Sequence, residues 1–195
     1  MDRELLARID RIESTLAIQQ LPIRYALATD GRDIDSWVNL FIEDVDCGSA
    51  GRGREALRST IEGPVASFYR SIHQICGHQI SFSDPEHASG QVYCRAEHEA
   101  LHQQKRRWIV MTICYFDDYE RRAGEWFFVR RRERHWYSKD AEQRPAPPFQ
   151  DWDAHAGEPK LPAAFPTWSK FWDKVDPEWV KQLTSAPVES YQKKR

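Results

Sequence analysis

The first apolar positions of the chain repeat at the spacing of a helix. They are Leu5, Ile9, Ile12 and Leu16. Steps of four, three and four residues put these side chains on one face, so residues 3–16 are predicted to form an amphipathic helix. Pro22 should kink or restart that helix, and a second helical stretch should run to about Thr29.

Two more helices are predicted before residue 71. Asp35 begins a pattern typical of a helix N-cap, and an apolar run follows it. From Gly53 to about Arg70 the apolar residues again follow a helical period, with Phe68 on the apolar face and Pro64 disturbing it. The first part of the chain is therefore predicted to be helical.

The pattern changes to alternation after residue 71. Strands are predicted over residues 73–82, 91–102, 108–119 and 126–137, with turn-forming or polar residues between them. Helices followed by four consecutive strands predict an α+β domain with an antiparallel meander. Because strands of ten or more residues exceed the usual length, the sheet should curve or contain bulges.

The chain after residue 137 has a different composition. Several prolines interrupt regular structure there, and tryptophans follow at 168 and 172. A short helix is predicted from Pro177 to about Leu183. We interpret residues 1–137 as one domain and residues 138–195 as an extension that wraps its own subunit or a neighbouring one.

Composition places the chain among ordinary globular proteins. Of the 195 residues, 41% are hydrophobic and 30% charged, and the formal net charge is −2. This balance gives no reason to expect a nucleic acid or a membrane as partner. The four cysteines form no Cys-x-x-Cys pair, which argues against a zinc knuckle or a disulfide framework. A cytoplasmic location is the expectation, since no apolar stretch reaches membrane-spanning length and no signal-peptide core is recognisable.

Asp30 and His73 are the main candidates for chemistry. A carboxylate beside an imidazole holds one ring tautomer and makes the other nitrogen more basic, the usual arrangement for proton abstraction. More than forty positions separate the two residues, so their spacing does not show that they meet. Two structural alternatives stay open: Asp30 ends a helix before Gly31, and His73 is a hydrogen-bonded core histidine.

Two further residues are candidates because of their predicted positions. Tyr25 lies about one helical turn before Asp30, so both side chains can line one wall. His98 shares a strand face with small residues at 94, 96 and 100, which suits a cavity wall, although a structural histidine stays an alternative. Five histidines fall within the predicted strands, but their spacing matches no metal-binding motif, so no metal is expected.

The order of several short motifs resembles a known superfamily. The motifs are Tyr25-x4-Asp30-x2-Asp33, Phe41-x2-Asp44, His73-x-Ile75-x4-Ile80, Gly90-x2-Tyr93 and Tyr119-Glu120-x3-Gly124-x-Trp126. Together they resemble the nuclear-transport-factor-2-like superfamily over residues 10–137. Within it the chain is similar to the SnoaL-like branch, with scytalone dehydratase, hexachlorocyclohexane dehydrochlorinase and bile-acid 7α-dehydratase. Many relatives have Asn at the position of Gly77, and the tail has no counterpart in the core family.

The resemblance implies a fold and a set of site residues. It implies a curved antiparallel sheet wrapped around N-terminal helices, with a cone-shaped pocket in which Asp30 and His73 face each other. His73 would be the base, and His98 and Tyr25 would be proton or hydrogen-bond donors. Arg131 aligns with a pocket arginine, although a shift of one residue would turn it to the other face. The expected substrate-binding residues are Arg131, Trp37, Phe68 and Tyr115.

The resemblance implies a cofactor-free lyase, such as a dehydratase, or an isomerase. Its substrate would be a hydrophobic, cyclic small molecule. The open sheet and the aromatic tail favour a homo-oligomer, either a dimer or a trimer. Two alternatives remain. One is a non-catalytic assembly subunit similar to the small subunit of aromatic-ring dioxygenases, and the other is a binding module with an inert Asp–His pair. Substrate, leaving group and reaction class are not determined by the sequence.

Overall fold

The computed structural model describes residues 2–102, 104–140, 162 and 164–186. Its helices are α1 (Arg3–Asp30), α2 (Ile34–Val38), α3 (Arg54–Ala66), α4 (Trp168–Trp172) and α5 (Pro177–Ser185), with a short 3-10 turn at Gly48–Ala50. Its strands are β1 (Phe68–Phe82), β2 (His87–His102), β3 (Lys105–Arg122) and β4 (Glu125–Asp140). The predicted α+β class is confirmed.

The four strands form one antiparallel meander in the order β1-β2-β3-β4. The strands are 15, 16, 18 and 16 residues long, so a flat sheet would be unusual. The register shifts between Phe68 and Arg70 and between Ile75 and Gly77 in β1. Two more register shifts occur in the pairing of β3 with β4. These bulges bend the sheet around α1, as expected from the strand lengths.

Helix α1 is one helix of 28 residues and does not restart at Pro22. Proline removes one helical hydrogen bond and crowds the preceding turn. Pro22 is buried together with Leu21 and Ile18, so packing offsets that cost. The predicted restart of the helix at Pro22 is therefore wrong.

The apolar face predicted for the start of α1 is exposed. Leu5, Ile9, Ile12 and Leu16 are 42–59% exposed. The buried residues along the same helix lie on another face and include Ser14 and Ile18. Spacing shows which side chains share a face, but the contact with the sheet decides which face is buried.

Two predicted helix boundaries also differ from the structure. Helix α3 ends at Ala66, and Phe68 begins β1, where it pairs with Ala100 of β2. Pairing with β2 therefore decides the conformation of residues 68–70, for which the apolar period predicts a helix. Helix α2 begins after Asp33, whose carboxylate accepts the backbone N–H of Ser36 at 3.0 Å, two residues before the predicted cap.

The described part of the tail packs on its own chain. Trp168, Trp172 and Leu183 form a buried cluster against Tyr69 of β1. The Thr167 hydroxyl donates to the carbonyl of Gly31 at 2.6 Å. The other predicted tail residues, 141–161, 163 and 187–195, lie outside the described residues. No helix in the described part of the chain is long and apolar enough to cross a bilayer.

Candidate active site

The end of α1 and the strand β1 bring Asp30 and His73 together. Asp30 Oδ1 lies 2.6 Å from His73 Nδ1, and Asp30 Oδ2 accepts the backbone N–H of His73 at 2.9 Å. Only 15% of the Asp30 side chain and 7% of the His73 side chain are exposed. The carboxylate therefore holds both the backbone and the ring of His73 in place.

This geometry fixes the proton positions of the His73 ring. An ionised carboxylate only accepts hydrogen bonds, so a neutral His73 ring carries its proton on Nδ1 and keeps a free lone pair on Nε2. Nε2 makes no hydrogen bond with any residue in the described ranges. A proton taken up at Nε2 would create an imidazolium beside a carboxylate, which stabilises it. The pair can therefore act as a general base.

His98 lies next to this pair on β2. The centroids of its ring and the His73 ring are 5.3 Å apart, and Phe68 stacks on it at 4.3 Å. Its Nδ1 is 3.0 Å from the hydroxyl of Ser71. Burial, assisted by the nearby charges of His73 and Arg32, lowers the pKa of His98 to about 3. The His98 ring is therefore neutral at physiological pH.

Tyr25 lies among aromatic residues at the same wall. Its ring centroid is 5.4 Å from that of Trp37 and 5.9 Å from that of Tyr115. Tyr25 and Ile75 pack on one buried cluster that includes Ala96, the cross-strand partner of His73. Burial raises the pKa of Tyr25 to about 12, so its hydroxyl stays protonated and can donate a hydrogen bond.

Arg131 lies on the same face, but a carboxylate already neutralises its charge. Its Nε donates to Asp117 Oδ1 at 2.9 Å and its Nη2 to Asp117 Oδ2 at 2.7 Å. Its Cζ atom is 4.2–4.4 Å from the ring centroids of Tyr25, Tyr115 and Phe128. Burial lowers the pKa of Arg131, but the hydrogen bonds and charge of Asp117 outweigh it and hold the pKa above its ordinary value. Its Nη1 is buried and has no hydrogen-bond partner among the described residues.

The structure adds residues that the sequence analysis missed. The Tyr119 hydroxyl donates to Asp117 Oδ2 at 2.8 Å, and His78 Nε2 lies 3.0 Å from that hydroxyl. Asp117, Tyr119 and His78 thus extend the Arg131 ion pair into a polar network. Alternation along β3 could have found Asp117, because it falls between the inward-facing Tyr115 and Tyr119. Ser71 and Arg32 had no recognisable local signal.

The motif order and the Asp30–His73 geometry agree with one protein family. A family model described as the SnoaL-like domain matches residues 10–132. This chain belongs to the SnoaL-like domain family. No curated protein sequence is similar enough to count as a relative.

Several solved structures have a similar fold. Hexachlorocyclohexane dehydrochlorinase (LinA) type 2 is 22% identical, with a TM-score of 0.64 over 72% of this chain and 98% of that chain. LinA itself is 25% identical, with a TM-score of 0.63 over 72% and 99%. A candidate scytalone dehydratase from Novosphingobium aromaticivorans DSM 12444 is 24% identical, with a TM-score of 0.60 over 73% and 97%. These similarities establish the fold.

No set of three His, Cys, Asp or Glu side chains among the described residues is arranged to hold a metal ion. The four cysteines are free thiols, two of them buried. The side chains at this wall include imidazoles, carboxylates, tyrosine hydroxyls, the Arg131 guanidinium and the buried thiol of Cys94.

Proposed function

We propose that this protein is a cofactor-independent enzyme that removes a proton from carbon in a hydrophobic, cyclic small molecule. The observation that carries the proposal is the 2.6 Å contact between Asp30 Oδ1 and His73 Nδ1. The SnoaL-like family and neighbours such as the LinA dehydrochlorinases support a small-molecule lyase or isomerase. A dehydratase or an isomerase is the more specific proposal.

In the proposed reaction His73 Nε2 takes the proton. The electron pair of the broken C–H bond then forms a double bond and expels a leaving group from the adjacent carbon, or it shifts an existing double bond. Asp30 stabilises the imidazolium formed. A departing hydroxide would accept a hydrogen bond from a neutral donor, His98 or Tyr25, and would leave as water with the proton that His73 Nε2 took up. Arg131 Nη1 could donate a hydrogen bond to developing negative charge.

The aromatic residues near these groups support an apolar substrate. Trp37 and Tyr115 contact the Tyr25 ring, and Phe68 stacks on His98. A flat or cyclic molecule between such rings would make favourable contacts without leaving polar groups unpaired. The cone-shaped pocket that would enclose it stays a prediction.

Replacing His73 tests the proposal. We expect His73→Ala to lower kcat about 10²- to 10⁴-fold, because a general base contributes that much, while circular dichroism shows the native fold. Turnover would be followed with a panel of cyclic alcohols, ketones and halides, together with deuterium uptake from heavy water.

His87→Ala is the matched control. His87 also contacts an aspartate, Asp84 at 3.0 Å, but its side chain is 56% exposed and it lies at the start of β2, away from the site. The control should keep full activity. A folded His73→Ala protein as active as wild type would contradict the proposal.

The assembly-subunit hypothesis makes a different prediction. Such a subunit has no need of an Asp–His pair with a free Nε2, so the contact between Asp30 and His73 favours the enzyme. Purification under native conditions separates the two hypotheses. A larger iron-containing chain that co-purifies in fixed ratio would favour the assembly subunit.

A further inference from the structure

Arg32 is a buried cation that the proposed reaction leaves without a role. The residue is only 2% exposed and has a φ of 58° in the turn after α1. Burial lowers the pKa of Arg32 to about 10, against the opposing effect of Asp30, so the guanidinium is charged at neutral pH. Among the described residues no carboxylate forms an ion pair with it.

Backbone carbonyls and one hydroxyl hold this charge instead. Nη1 donates to the carbonyl of Thr29 at 2.6 Å. Nη2 donates to the carbonyl of Phe68 at 2.6 Å, with longer contacts of 3.4 Å to the Tyr69 carbonyl and 3.3 Å to Ser71 Oγ. The carbonyls at the end of a helix carry partial negative charge, which favours a cation there.

These contacts join the two segments that carry the catalytic pair. Thr29 precedes Asp30 at the end of α1, and Ser71 lies two residues before His73 on β1. The register shift between Phe68 and Arg70 makes Tyr69 the extra residue of a bulge. A bulge leaves a carbonyl without its ladder partner, and Arg32 supplies a donor at this point.

Ser71 carries the effect of Arg32 onward to His98. The Ser71 hydroxyl accepts from Arg32 Nη2, so its own proton is free to be donated to His98 Nδ1, 3.0 Å away. A neutral imidazole that accepts at Nδ1 carries its proton on Nε2. His98 would then present an N–H to the space beside His73. Without Arg32 the Ser71 hydroxyl could turn to the freed carbonyl of Phe68 or Tyr69.

The tail covers the other side of the guanidinium. Its Cζ atom lies 5.1 Å from the ring of Trp168 and 5.9 Å from the ring of Trp172. These rings stabilise a cation and exclude water that would compete for its hydrogen bonds. Phe165 packs so closely on Gly31 that an added Cβ would lie 2.9 Å from its ring. The tail therefore helps to keep Arg32 in one position.

We propose that Arg32 is a positioning residue that fixes His98, through Ser71, as a neutral imidazole protonated on Nε2. This inference rests on the proposed function, in which His98 donates to the leaving group. It concerns the resting protein, however, so it can be tested without a substrate.

The test is nitrogen-15 NMR of histidine-labelled full-length protein, which distinguishes the two neutral tautomers. We expect wild-type His98 to be protonated on Nε2. Arg32→Met and Ser71→Ala should each shift the tautomer ratio about tenfold toward Nδ1–H, the size expected from losing one hydrogen bond. If Arg32→Met does not fold, Arg32→Lys, which keeps the charge but cannot make all of these contacts, tests the same step and should also shift the ratio. Ser71→Ala tests the step from Ser71 to His98. His98→Gln assigns the signal.

Arg54→Met is the matched control. Arg54 also donates to a backbone carbonyl, that of Phe41 at 2.6 and 2.9 Å, and lies over the Phe127 ring. It contacts neither Ser71 nor His98, so its loss should lower stability and leave the tautomer unchanged. An unchanged tautomer in folded Ser71→Ala, or the same shift in Arg54→Met, would overturn the proposal. If the tautomer shifts as expected but turnover does not depend on His73, the positioning role of Arg32 is supported and only the proposed function is refuted.

Discussion

His98 is neutral because the fold removes its ring from water. Phe68 covers one side of the ring, and Ser71 occupies its Nδ1 nitrogen. A proton on this ring would be buried near the charge of Arg32, which is why the pKa falls to about 3. A change in protonation at this residue is therefore coupled to folding.

The free energy of unfolding should decrease as the pH falls below about 6.5. The unfolded chain binds a proton at a histidine near that pH, whereas folded His98 binds one only near pH 3. Stability from this group is complete above about pH 6.5 and declines by about 1.4 kcal/mol per pH unit down to about pH 3. His78, whose pKa burial also lowers, acts in the same direction. Urea denaturation at pH 7, 6 and 5 measures the slope.

The variant His98→Gln should reduce the slope of the unfolding free energy against pH by up to the value for one proton, about 1.4 kcal/mol per pH unit. His87→Gln, an exposed position, controls for the loss of a histidine and should retain the contribution of His98. An equal slope in wild type and His98→Gln would show that His98 does not contribute.

At the scale of the elements, bulges decide which side chains reach the site. Ile75 pairs with Cys94 and Gly77 with Tyr93, so Cys76 is the extra residue in β1. That residue turns His78 to the same face as His73, whereas strict alternation would place it on the opposite face.

A second bulge does the same for Arg131. Asp118 pairs with Arg130 and Tyr119 with Phe128, so Val129 is the extra residue in β4. Arg131 therefore faces Asp117, its cross-strand partner, and not solvent. This bulge resolves the choice of face that a one-residue shift leaves open in the sequence.

Gly90 allows β1 and β2 to approach near this polar network. A Cβ at Gly90 would lie 2.9 Å from the Gln79 carbonyl oxygen, His78 Nε2 and Tyr119 Cε2. We expect Gly90→Ala to lower the free energy of unfolding by about 1–3 kcal/mol, because backbone and ring must both move. Thermal and urea denaturation measure the loss.

Gly77→Ala is the control for Gly90→Ala. Gly77 lies in β1, which pairs with the strand of Gly90, and an added Cβ there would meet no atom within 4 Å. It should not destabilise, and a gain of up to about 1 kcal/mol is expected from the smaller entropy of the unfolded chain. Equal losses in both variants would indicate that strand propensity, not the close approach, is responsible.

At the scale of the whole molecule, the tail completes the domain. Trp168 and Trp172 are 6% and 9% exposed and contact Tyr69 at the start of β1. Trp179 Nε1 donates to the carbonyl of Ala66 at the end of α3. The tail thus packs where helix α3 passes into the strand that carries His73.

Replacing Trp168 should destabilise the entire domain. We expect Trp168→Ala to cost about 3–5 kcal/mol, the usual loss for a buried tryptophan. Trp136→Ala, at a position 67% exposed, should change stability by less than about 0.5 kcal/mol. Calorimetry of both variants measures the difference, and a small effect in Trp168→Ala would mean that the tail docks only weakly.

The homo-oligomer remains a prediction, but the structure changes the physical argument for it. The aromatic tail favours an oligomer because its tryptophans need burial, but those at 168 and 172 are buried on their own chain. Among the described residues, some exposed large apolar side chains lie on strands, such as Trp136, but seven lie on α1, including Ile12 at 59% and Leu16 at 57%. That surface is where a second copy would bury apolar area.

The sequence by itself determined the α+β class and the order of helices and strands. Through the family resemblance it also predicted that Asp30, His73, His98 and Tyr25 belong to one candidate site. Helical and alternating periods identify elements because each element repeats its own geometry over many residues. The motifs add the family because their order is preserved along the chain.

Only the tertiary structure decided which face of α1 is buried, where β1 begins and which neighbours each site residue has. The ion pair of Arg131 with Asp117 and the contacts of Arg32 join residues from different elements. A bulge shifts one residue and so reverses a face, and no local pattern records it. These features arise from packing between distant segments, and so the sequence pattern alone could not fix them.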